Sequence, residues 1–116
     1  YFIMALIQLM KLSNIWLQKI YLLEFRMLKI LEDIVTLARE RRSNPVQGSY
    51  TNKLLEDKSL AKEKVLEEIN ELIEAVEKDS NKIHEAADVL YHLIMYLEKS
   101  DVKIEEVMEE LKNRKK

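Results

Sequence analysis

Every strong helix breaker in this chain lies within ten residues. The segment "SNPVQGSYTN", residues 43–52, holds the only proline, Pro45, and the only glycine, Gly48, among 116 residues. Antiparallel sheets need turn residues at short, regular intervals. One breaker segment cannot supply them, and the rest of the chain is rich in Leu, Ile, Glu and Lys, which favour helix. The expected fold is all-α: an antiparallel helical bundle around one modest core, interrupted by a loop at Pro45–Gly48.

Composition narrows the function classes. No cysteine is present, which removes disulfides and thiolate metal sites and suits a reducing cytoplasm. The net charge of −2 gives no global attraction to nucleic acid, so none is expected as a partner. Residues 1–26 hold four of the charged side chains (Lys11, Lys19, Glu24, Arg26), and their longest uncharged run is ten residues. That is about half of the ~20 needed to cross a bilayer, so no membrane span is expected. The segment also lacks the basic start and small-residue cleavage site of a signal peptide. It reads as an apolar helical extension of unknown role, packing on the body or on a partner, ahead of a helical domain at 27–116.

Apolar spacing defines the helices of that domain. Leu28, Leu31, Ile34, Val35, Leu37 and Ala38 predict a helix from Met27 to about Arg41, closed by Arg41-Arg42 where the macrodipole favours cations. A second runs from about Ser59, the expected N-cap, to about Lys78, with a stripe of Val65, Ile69, Leu72, Ile73 and Val76. After a short turn at 78–81, a third carries Ile83, Ala86, Ala87, Leu90, Leu93, Ile94 and Leu97. A break near Ser100-Asp101 precedes a last helix with Ile104, Val107, Met108 and Leu111. So short a turn makes the two central helices an antiparallel hairpin.

Four acids sit on that hairpin. Glu68 and Glu71 are three apart in "EEINELIEAV", as are Glu85 and Asp88 in "HEAADVLYHL", and positions i and i+3 share a helix face. Glu71 and Glu85 lie at similar distances from the turn, so the two pairs can face each other. Carboxylates brought together repel unless protons or a cation neutralise them. Hard oxygen ligands suit Mg²⁺, or Mn²⁺, better than zinc, and Mg²⁺ readily bridges phosphate oxygens. An ExxE pair alone usually marks a solvated face. Here Glu68 adjoins Ile69, Glu71 adjoins Leu72, and Asp88 lies between Ala87 and Val89, next to the core.

The order of "ARERR", "PVQGSYTNKL" at 45–54, "KVLEEINELIEA" at 64–75 and "HEAADVLYHLIMYL" at 84–97 resembles the MazG-like all-α nucleotide pyrophosphohydrolases. Within them it is most similar to the phosphoribosyl-ATP pyrophosphohydrolases, which act in the second step of histidine biosynthesis. The resemblance covers residues 28–115. It implies Mg²⁺ (or Mn²⁺) held by Glu68, Glu71, Glu85 and Asp88 against a triphosphate, and water attack on phosphorus. Pyrophosphate and phosphoribosyl-AMP would be released, by a homodimer whose sites form where helices of two chains meet. Two positions depart from the family pattern: Leu66, commonly glycine, and Lys103, commonly a small capping residue whose place Asp101 would take. Two other readings stand beside this one: a housekeeping nucleoside triphosphate pyrophosphohydrolase of the same superfamily, and a non-catalytic helical interaction module.

Around the acids, each residue has a structural and a functional reading. Glu68 and Glu71 are the catalytic candidates, with Glu67 as a base orienting water or a solvated acid. Lys64, one turn before Glu68, either meets phosphate or relieves the carboxylate charge; the resemblance favours phosphate. Ser49, Tyr50, Thr51 and Lys53 suit a turn and helix cap, and by the resemblance they bind substrate, Tyr50 and Lys53 foremost. Arg41 is a macrodipole partner and a candidate substrate clamp. His92 is expected to be partly buried with a hydrogen bond, His84 to face water, and the methionines and Trp16 to pack.

Overall fold

The computed structural model describes the backbone of residues 2–11 and 15–115, with side chains at 3–7, 19 and 29–115. Trp16 therefore lies outside the described side chains. Six helices follow in order: α1 (Phe2–Lys11), α2 (Ile15–Ser43), α3 (Tyr50–Glu56), α4 (Lys58–Lys78), α5 (Lys82–Lys99) and α6 (Ile104–Arg114). The described residues contain no strand, so the all-α expectation holds. The chain divides into two compact units, residues 1–33 and Ile34–Lys116, and α2 contributes to both. The helix predicted over 27–41 falls inside α2. Among the described residues no helix is long and apolar enough to cross a membrane.

The second unit carries the acids. Its breaker loop is shorter than predicted, because α3 begins at Tyr50. Gly48 sits at φ +82° with open space where a Cβ would stand, so the backbone conformation, not crowding, calls for glycine. The Ser49 N–H closes that turn on the Val46 carbonyl at 3.1 Å. Asn52, buried, ties the loop down: its amide donates to the Arg41 carbonyl and accepts from the Val46 N–H, both at 2.9 Å. Leu54 and Leu55 of α3 then pack with Ala38 of α2 and Met95 of α5, flanked by Ile34, Leu60 and Tyr91.

The expected N-cap at Ser59 is corrected. Asp57 caps α4, its carboxylate accepting from the Leu60 N–H at 3.1 Å, while Ser59 is already helical. The α4–α5 turn forms as expected. Asp79 adopts the left-handed conformation, and Ser80 N–H→Ala75 O (3.0 Å) with Asp79 N–H→Val76 O (3.3 Å) completes a Schellman motif. The same motif ends α5. Asp101 is left-handed there, with Val102 N–H→Leu97 O at 2.9 Å and Asp101 N–H→Glu98 O at 3.2 Å. Asp101 therefore does not cap α6, as the sequence suggests it would. It accepts from Arg42 at 2.9 Å, and Lys103 occupies the N-cap position without a side-chain bond.

The apolar stripes are buried only in part. Ile69, Ile73 and Val76 of α4, and Ile83, Leu90 and Leu93 of α5, are exposed, while Val65 and Leu72 are half-buried and Ile94 is buried. The main buried cluster is built at the α2–α3–α5 contact, and α4 adds buried Ala61 and Ala75. Beside it Glu98, also buried, accepts from Arg39 Nε at 3.1 Å and lies 3.8 Å from Arg42, while Arg39 grips Glu105 of α6 through two bonds of 2.8 and 2.6 Å.

Candidate functional site

Helix α4 brings Glu68 and Glu71 to one face, and the three-residue turn returns α5 so that Glu85 meets them. One carboxylate oxygen from each of Glu68, Glu71 and Glu85 lies within 4.8 Å of the other two. Glu85 also joins Asp88 and His84 in a second trio of the same closeness, so the four acids form two groups sharing Glu85. Glu68 is only 8% exposed. Among the described residues, its Oε2 and that of Glu85 are buried with no hydrogen-bond partner.

The electrostatics follow from this crowding. Burial pushes the Glu68 carboxyl above the usual carboxylate range, and the neighbouring Glu71 pushes it further. Glu85 rises for the same reasons, burial first and Glu71 next, with His84 opposing. Buried, partnerless oxygens amid like charge lower the free energy of a bound cation. Two oxygens on opposite sides of a Mg²⁺ ion stand roughly 4.2 Å apart, so a 4.8 Å group needs little adjustment to hold one. With oxygen donors only, the Glu68–Glu71–Glu85 group fits a hard divalent cation.

The remaining candidates are placed as follows. Lys64 pairs with Glu67 at 3.2 Å, which holds its ammonium firmly protonated. Ser49 caps α3 by accepting from the Asn52 N–H at 3.3 Å, and it also accepts from Arg41 at 2.7 Å. The Arg41 guanidinium thus lies over the loop. Thr51 is buried and shares a hydrogen bond with the Tyr91 hydroxyl. Lys53 is exposed and lines a hollow with Pro45, Gln47, Gly48 and Asn52. Tyr50 is bonded to His92 at 2.9 Å, and both Glu68 and Lys64 lie near enough to act on its hydroxyl. His92 is buried and hydrogen-bonded, as expected. His84 is exposed as expected, yet its Nε2 lies 3.3 Å from Asp88 Oδ2, a link the i, i+4 spacing allows but does not reveal.

A family model described as "Phosphoribosyl-ATP pyrophosphohydrolase" matches residues 31–115, well over half of the chain. The chain belongs to the phosphoribosyl-ATP pyrophosphohydrolase family. Two curated relatives of this family are 41% identical to it. A phosphoribosyl-ATP pyrophosphatase of Clostridium acetobutylicum aligns over 74% of this chain and 81% of its own length. One from Sulfurisphaera tokodaii aligns over 75% and 96%. A histidine biosynthesis bifunctional protein of Pyrococcus furiosus, also 41% identical, aligns over 77% of this chain, which spans 43% of that relative's length. No solved structure matches. The matched region contains α3 to α6 and both acid pairs, so family membership and site geometry concern the same residues.

Proposed function

We propose that this protein hydrolyses phosphoribosyl-ATP to phosphoribosyl-AMP and pyrophosphate, the second step of histidine biosynthesis, in the cytoplasm. The observation that carries the reading is the convergence of Glu68, Glu71 and Glu85 around buried, partnerless oxygens. Glu68, Glu71, Glu85 and Asp88 would hold Mg²⁺, with Mn²⁺ the alternative. A divalent cation held there supplies charge neutralisation for the triphosphate and polarises its oxygens. Lys64, kept charged by Glu67, would meet the leaving phosphates, and Arg41 and Lys53 would add cationic reach from the loop side. Glu67 or Glu68 orients the water and accepts its proton as the new P–O bond forms and the α–β anhydride breaks. One water is consumed, and the bridging oxygen leaves with pyrophosphate.

The same reading makes the protein a homodimer. Exposed Leu66, Ile69, Ile73 and Val76 recur at helical spacing, and such a stripe is normally covered. Incubation with phosphoribosyl-ATP and Mg²⁺ tests the activity, with Glu71→Ala and Asp88→Ala as controls. Pyrophosphate release by the native protein, falling to the blank level in both variants, is expected. Faster turnover of ordinary nucleoside triphosphates would favour the housekeeping enzyme instead. No turnover, and no rise in Tm with Mg²⁺ and nucleotide, would leave only a helical interaction module.

A further inference from the structure

We propose that His92 is a positioning residue that turns the Tyr50 hydroxyl into an acceptor for a hydroxyl of the substrate's adenosine ribose. This rests on the pyrophosphohydrolase reading above and decides which part of the nucleotide Tyr50 meets. His92 Nδ1 lies 2.7 Å from the backbone carbonyl oxygen of Asp88. A carbonyl only accepts, so Nδ1 carries the ring proton. With the imidazole taken as neutral, Nε2 offers a lone pair and the Tyr50 hydroxyl 2.9 Å away donates to it.

The ring cannot readily leave this arrangement. His92 is 7% exposed and packs edge-on to Tyr91 (5.1 Å, 87°) and to Tyr50 (5.8 Å, 74°). Tyr91 stacks over Tyr50 at 6.5 Å and is itself held by Thr51. Tyr50 nevertheless remains 44% exposed, within electrostatic reach of Lys64, Glu67 and Glu68. Its proton is committed inward, so its oxygen can only accept from a ligand. Phosphate oxygens are acceptors and gain nothing from such a partner, whereas a sugar hydroxyl donates. The adenosine ribose carries the triphosphate on its 5′ carbon, so it is the next group along from the acids that grip the phosphates.

The test compares phosphoribosyl-ATP with analogues made from 2′-deoxy- and 3′-deoxy-ATP. In the native protein one deoxy analogue should raise KM by ~3–10-fold, the worth of one hydrogen bond. Tyr50→Phe should raise KM for the full substrate by a similar factor and abolish the discrimination between the two. His92→Gln, which keeps an acceptor near Nε2, should retain the discrimination, and His92→Phe should lose it. Long-range proton–nitrogen NMR of the native protein should show His92 protonated at Nδ1 and bare at Nε2, a reading that does not depend on how any variant folds. Nε2 protonation, or discrimination that survives in Tyr50→Phe, would overturn the inference while turnover stands. Absence of turnover of phosphoribosyl-ATP by the native protein would overturn the functional reading first, and the inference with it.

Discussion

At Glu68 the fold leaves a carboxylate oxygen almost out of water, with no donor among the described residues facing it. The raised pKa sets the sign of its pH dependence. A carboxyl that holds its proton more tightly folded than unfolded stabilises the fold at low pH, and stability declines as pH rises from the ordinary carboxylate range through the raised value. Above that window the full repulsion with Glu71 and Asp88 is present. Without divalent cation, Glu68→Gln should therefore raise Tm by a few degrees at pH 8, and the gain should shrink to nothing near pH 4. Adding Mg²⁺ should reverse the order, because the native cluster gains a ligand and the variant does not. Scanning calorimetry at both pH values, with and without Mg²⁺, checks this. The acid pairs were legible because i, i+3 spacing is written directly in the chain. Their unequal burial was not, because it depends on which helix covers them.

At the scale of elements, α3 shows how far local signals reach. Seven residues are too few for a stable helix alone, and the segment holds no amphipathic repeat long enough to read. It forms because Leu54 and Leu55 drop onto Ala38 and Met95, while Asn52 ties the loop to the end of α2. Leu54→Ala should remove about 2–5 kcal/mol in urea unfolding, since Leu54 is fully buried. The substitution should also raise KM for the nucleotide, because α3 begins at Tyr50. A loss of stability without any change in KM would separate α3 from the site. The Asp57 cap was missed for a simple reason: Asp57 and Ser59 both suit an N-cap, and only backbone geometry separates them. The turn after α4 was legible from its polar residues, and left-handed Asp79 and Asn81 explain why no glycine is needed there.

At the scale of the whole molecule, the exposed stripe on α4 is the largest departure from expectation. Its spacing marked a buried face, yet within one chain Ile73 and Val76 meet solvent. The proposed homodimer resolves this, because a period of 3.6 records that a face is covered and not what covers it. Analytical ultracentrifugation of the native protein should give a dimer, and Ile73→Glu should shift it toward monomer with loss of activity. A native monomer with full activity would remove the dimer from the proposal.

The sequence by itself determined the helical class, the one breaker loop, the α4–α5 hairpin and the spacing of the acids. These depend on residues within a few positions of one another, and local backbone energetics fix them. Only tertiary structure decided that, among the described residues, Glu68 and Glu85 carry partnerless oxygens, that Tyr50 and His92 share a hydrogen bond, and that the buried cluster lies at α2, α3 and α5. Each of those depends on groups far apart in the chain, and desolvation and packing act on neighbours in space.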